Sequence, residues 1–143
     1  MDPNEKLSQY VTLGEVTQSN TATVKKIDNI PGLAETERLK LVCSECFDKI
    51  REHFGQPLRV SSGYRCPALN KAVGGVRNSQ HVTGEALDIQ PIKSSPTVKE
   101  MYDWAKDNID FDQLIIEGKG GIWLHVSYKK TGNRKQAFAI ENP

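Results

Sequence analysis

Residues 77–90 read RNSQHVTGEALDIQ. The first half is polar and loop-like, and Thr83-Gly84 supplies a turn. From Glu85 to Ile89 the pattern alternates, so that Ala86 and Asp88 share one face of an expected strand and Leu87 and Ile89 share the other. The turn folds His81 back toward that strand. An aspartate on a strand otherwise suited to burial, with an imidazole carried to it by a turn, is the feature around which the rest of the chain is read.

Outward from this stretch, FDQLIIE (111–117) and IWLHVSY (122–128) are two further strands joined by the glycine-rich turn GKGG, and QAFAI (136–140) is a last one. In IWLHVSY, Trp123, His125 and Ser127 share one face and Leu124 and Val126 the other. Between these strands and the first, Ser95 and Pro96 suit the N-cap and first position of a helix whose apolar stripe is Val98, Met101, Ala105 and Ile109. Toward the N-terminus, LRVSSGYR is a short strand that leaves its sheet at Ser61 to Gly63. Residues 66–80 form a long loop in which PALNKAV makes a helical turn, and long ordered loops in compact domains often carry sites. Asn70, Gly74 and Gly75 shape that loop. The apolar spacing of Leu39, Val42, Cys46, Phe47, Ile50 and Phe54 predicts a helix over roughly residues 34–54, and residues 1–32 are expected to be largely irregular. The sum is an α+β fold, a small, mainly antiparallel sheet flanked by helices, in a single domain over residues 1–143.

The 143 residues suffice for a core that needs neither disulfides nor metal to form. Nineteen basic side chains against eighteen acidic ones leave a charge of +1, which argues against binding nucleic acid through bulk electrostatics. No apolar run approaches the roughly 18 residues of a membrane span. The polar start MDPNEKLSQY is not a signal peptide, so synthesis in the cytoplasm is expected, with any action at a cell wall requiring phage-type release or delivery. A monomer is expected because no long exposed apolar helix calls for a partner. Lys129, Lys130, Arg134 and Lys135 surround Thr-Gly-Asn and read first as a solvated turn, with attraction to an anionic wall polymer as the alternative. Cys43 and Cys46 fall in the helical stripe as small hydrophobes, and no second Cys/His pair joins them and His53 into a zinc site.

Two imidazoles and one carboxylate, His81, His125 and Asp88, suit Zn²⁺ and leave a fourth tetrahedral position open. Taken singly, each has a plainer reading: a satisfied half-buried histidine, a strand-end acceptor, an exposed loop residue. Spacing does not place EALDI beside IWLHVSY, so both readings stand at this level.

The motif SxHxxGxAxD at Ser79–Asp88, the WxHxS strand at Trp123–Ser127 and the segment SSGYRCPALNKAVGGVRNSQH (61–81) resemble the M15 zinc peptidases. That class holds the D-alanyl-D-alanine carboxypeptidases and the phage L-alanyl-D-glutamate endolysins. The chain is most similar to its small phage and bacterial branch, over about Leu7 to about Ile140. The resemblance implies a hedgehog/D-Ala-D-Ala peptidase-like fold and zinc held by His81, Asp88 and His125. It implies Arg65 facing the site to bind a substrate carbonyl or developing oxyanion, with Ser79 and Gln80 as substrate-binding candidates. The implied activity is hydrolysis of an amide in peptidoglycan stem peptides by metal-activated water, without choosing between the two bonds. The chain departs from many relatives at Ile122, where they carry the acid that moves the proton. Glu117, at the end of FDQLIIE, is the expected substitute as general base, with Glu85 second. The alternative is a zinc-containing module with little or no turnover, serving cell-wall binding or a phage particle.

Overall fold

The structure, a computed structural model, describes residues 1–140. Its centre is a five-stranded mixed sheet in the order β1-β2-β4-β3-β5, comprising β1 (Leu58–Ser62), β2 (Ala86–Pro91), β3 (Gln113–Glu117), β4 (Trp123–Ser127) and β5 (Gln136–Ala139). All neighbouring pairs are antiparallel except β3 with β5, which is parallel. The mainly antiparallel sheet expected from the alternating segments is therefore present, and β2 and β4 are direct neighbours.

Period-two alternation gives this sheet two unlike faces. Leu87, Ile89, Leu114, Leu124 and Val126 are fully buried on one of them. Each contributes about 1.5–3 kcal/mol through burial. Against them packs a long helical stretch made of α3 (Leu33–Val42), a π turn (Cys43–Phe47) and α4 (Asp48–Phe54). Its buried residues Leu39, Val42, Cys43, Cys46, Phe47 and Ile50 recur at i, i+3, i+4 and i+7. Gly55, at φ 62°, ends it in the left-handed conformation. Burial pushes the thiols of Cys43 and Cys46 well above the usual range, as befits core residues.

The helix α7 (Val98–Asn108) buries Val98, Met101 and Ala105 as the stripe requires, but it starts later than Ser95-Pro96 suggests. Thr97 is the N-cap. Its hydroxyl accepts from Glu100 N–H at 3.1 Å while the Glu100 carboxylate accepts from Thr97 N–H at 2.9 Å, and this reciprocal pair outcompetes a serine cap two residues earlier. The N-terminal segment carries more structure than its composition suggests: α1 (Leu13–Thr17), with a Thr12–Glu15 capping box, and α2 (Asn20–Lys25). Leu7, Val11, Leu13 and Val16 anchor it in the core. PALNKAV forms α5 (Pro67–Ala72), and the short α6 (Gln80–Thr83) carries His81. Among the described residues no helix is long and apolar enough to cross a membrane.

Candidate metal centre

The second face of the sheet holds the polar residues. Asp88 on β2 stands opposite His125 on β4, and Ile115 on β3 flanks His125 from the other side. His125 Nδ1 lies 3.0 Å from Asp88 Oδ1. His81 arrives from outside the sheet on α6, which is fixed at both ends. Ser79 Oγ accepts from His81 N–H at 3.2 Å, and Gly84 closes the helix at φ 83°. A Cβ on Gly84 would also lie 2.5 Å from the Glu35 carbonyl oxygen, so only glycine fits. His81 Nε2 thereby stands 3.3 Å from the same Asp88 oxygen.

One contact decides which nitrogen His81 can offer. Its Nδ1 lies 2.7 Å from the Gly63 carbonyl oxygen, which only accepts, so Nδ1 carries the proton and Nε2 keeps its lone pair toward Asp88. Burial opposes ionisation of Asp88, but the imidazoles of His125 and then His81 beside it more than offset this and hold the carboxyl well below the usual range. Donor atoms of His81, Asp88 and His125 all lie within 4.8 Å of one another. Two imidazole nitrogens and an ionised carboxylate oxygen on one side of a cleft are a donor set that fits zinc better than calcium or magnesium. The reading of His81 as an exposed loop residue fails, since it is 2% exposed.

The cleft, about 750 Å³, also takes in Arg65, Glu85 and Glu117. Glu117 is across the sheet from Trp123, whose Nε1 donates to Glu117 Oε1 at 3.1 Å; that oxygen lies 3.7 Å from His125 Nδ1. Ile122 is half-exposed in the preceding turn and does not line the cleft. Glu85 makes no ion pair with either histidine, and its Oε1 accepts from the Thr83 hydroxyl at 2.6 Å. Arg65 Nε is buried without a partner among the described residues, and Nη2 lies 3.5 Å from Ser79 Oγ. Burial lowers the Arg65 pKa, with Asp88 and Glu117 opposing. Ser79 thus secures α6 and faces Arg65. Gln80 Nε2 donates to Asp112 Oδ2 at 2.9 Å.

Three residues that matter here went unassigned in the sequence. Asn29 donates to the carbonyls of Thr17 and Tyr64 and accepts from Cys66 N–H at 2.8 Å, fastening the backbone on both sides of Arg65. Asp112 is fully buried and binds Arg134. Gly63 positions His81 while touching α1: a Cβ there would lie 2.5 Å from the Val16 carbonyl oxygen and 2.8 Å from its Cα. Backbone cannot give way as a flexible side-chain tip can. Gly63→Ala is therefore expected to cost about 1–3 kcal/mol of stability and, by displacing the carbonyl that orients His81, to weaken binding of a metal ion such as zinc at this cluster about 10–100-fold. Thermal unfolding and zinc titration against a competing chelator measure both; unchanged zinc affinity would remove Gly63 from the orienting role.

No curated protein matches the chain. A model of the family described as Peptidase M15 matches residues 9–126. The match runs from the N-terminal segment that packs on Gly63 to the strand bearing His125, well over half the chain, and the chain belongs to the peptidase M15 family.

Proposed function

We propose that the protein is a zinc-dependent peptidase that hydrolyses an amide bond in the stem peptides of peptidoglycan. The observation that carries this reading is the convergence of His81, Asp88 and His125 in an open cleft with a further carboxylate, Glu117, beside them. His81 Nε2, the Asp88 carboxylate and His125 Nδ1 would hold the ion. Zinc in such a site acts as a Lewis acid and acidifies water.

The protein's own residues supply the remainder. Glu117, oriented by Trp123 Nε1, accepts the proton of the attacking water and returns it to the departing amine. Arg65 has a buried Nε with no partner among the described residues and a guanidinium facing the same cleft, and it donates to the carbonyl oxygen as negative charge develops there. Ser79 and Gln80 line the substrate's path, each already anchored on one side. Glu117 takes over the task of the acid missing at Ile122 because the pairing of β3 with β4 brings its strand-end carboxylate beside His125. The protein works as a monomer, in one domain, and reaches the wall by phage-type release or delivery.

The test is mass spectrometry of muropeptides of several wall chemotypes after incubation with zinc-loaded protein. New fragments split at one amide are expected and would name the bond. Unchanged muropeptides at stoichiometric zinc would overturn hydrolysis and leave a metal-stabilised wall-binding module.

A further inference from the structure

The basic turn after β4 is built, not loose. Asn133 Oδ1 accepts from Lys129 N–H at 2.8 Å and its Nδ2 donates to Lys129 O at 2.9 Å, closing the turn on itself. Asp112, fully buried just before β3, accepts from Arg134 N–H at 2.9 Å, Nε at 3.0 Å and Nη2 at 2.7 Å. The carboxylate thus occupies one edge of the guanidinium. Nη1 makes no hydrogen bond among the described residues, and Arg134 lines the same cleft as His81, Asp88 and His125, with Lys129 beside it. Asp112 balances the charge of Arg134, and Glu85, whose carbonyl accepts from Tyr128 N–H, shares this end of the cleft with Lys129. What distinguishes the end is therefore the free guanidinium donors of Arg134 with the Lys129 ammonium nearby, not a net charge.

Strand register fixes where this end lies. Asp112 N–H donates to Ser127 O, two residues beyond His125, whereas Glu117 pairs with Trp123, two residues before it. The Arg134 end is therefore about 7 Å along β4 from His125, at ~3.4 Å per residue, and opposite the Glu117 end. A carboxylate on the residue next to a scissile carbonyl stands ~4 Å beyond it, and a charge-assisted hydrogen bond adds ~2.8 Å.

We propose that Arg134, assisted by Lys129, is a specificity subsite for a free α-carboxylate on the residue that departs as the amine, with Asp112 as its positioning residue. This rests on the peptidase reading above and narrows its substrate class. An arginine already held along one edge presents its remaining donors to a planar anion with little further ordering. Both candidate bonds offer this group: a terminal D-Ala-D-Ala carries it at the chain end, and a D-Glu linked onward through its side chain carries it at Cα.

The test uses stem peptides of both kinds, each as the free α-carboxylate and as the carboxamide. With wild type, amidation is expected to lower kcat/KM about 10–100-fold, mainly through KM. Arg134→Gln should reproduce that loss on the acid and lose much less on the amide, and Arg134→Lys should recover part of the preference. The kind of peptide turned over identifies which source supplies the carboxylate. Equal hydrolysis of acid and amide by wild type, a comparison that needs no variant, would overturn the subsite, as would equal proportional losses on both in Arg134→Gln. If neither peptide is cleaved, the peptidase reading fails separately. The subsite is then judged by NMR titration of the zinc-loaded protein, where preference for acid over amide that disappears in Arg134→Gln supports it and equal binding overturns it.

Discussion

Glu117→Gln is expected to lower turnover of muropeptides by about 10²–10⁴-fold with zinc content undiminished. Glutamine keeps the side-chain oxygen that accepts from Trp123 Nε1, so the group stays in place and loses only its capacity to take and return a proton. The effect should fall on kcat, because the role ascribed to Glu117 is exercised as the bond breaks. Zinc analysis of the purified variant beside its muropeptide kinetics separates this from damage to the metal centre. A variant as active as wild type would return the task of proton transfer to another group, Glu85 being the next carboxylate in the cleft.

The second large effect belongs to Asp88. Its Oδ1 is the atom that both imidazoles approach, at 3.3 Å from His81 and 3.0 Å from His125. Asp88→Ala removes the only anionic member of the triad and leaves two imidazoles facing each other. Zinc affinity is expected to fall by more than the ~100-fold that accompanies loss of a supporting hydrogen bond, with activity dropping to background. Equilibrium dialysis against a chelator gives the affinity, and circular dichroism checks that the apolar face of the sheet still holds the fold. Retention of tight, stoichiometric zinc would place the ion elsewhere.

Much of this centre is legible in the sequence. The alternation in EALDI and IWLHVSY predicts which side chains share a face, and Asp88, His125 and the apolar Leu87, Ile89, Leu124 and Val126 fall where period two puts them. The adjacency of the two strands was not readable from spacing, because pairing between distant segments is set by the whole sheet. The family resemblance supplied what local pattern lacked. Glu117 required that adjacency too: its distance to His125 follows from the β3–β4 pairing and not from the four residues that separate it from Ile122 in the chain.

Local capping chemistry explains two differences. Thr97 and Glu100 form a T-x-x-E box, and this box, not the Ser-Pro pair ahead of it, sets the start of α7. The same box at Thr12 and Glu15 opens α1 in a region whose polar composition suggested irregular chain. Asp112 shows a different limit. In FDQLIIE it is simply one more alternating residue, and only the fold brings Arg134 and Gln80 to it across the sheet edge. The basic run that reads as a solvated turn is consequently half turn and half cleft wall: Lys129 and Arg134 line the cleft, whereas Lys130 and Lys135 are exposed and do not.

The central claim is that three side chains form one open metal centre with Glu117 beside it as a base and not as a ligand. Anomalous scattering at the zinc edge from crystals of the zinc-loaded protein tests it most directly. The predicted result is a single zinc site bound by His81 Nε2, the Asp88 carboxylate and His125 Nδ1, with the Glu117 carboxylate within hydrogen-bond reach of the fourth position. Zinc bound elsewhere, or Glu117 itself filling the fourth position and closing the site, would contradict it.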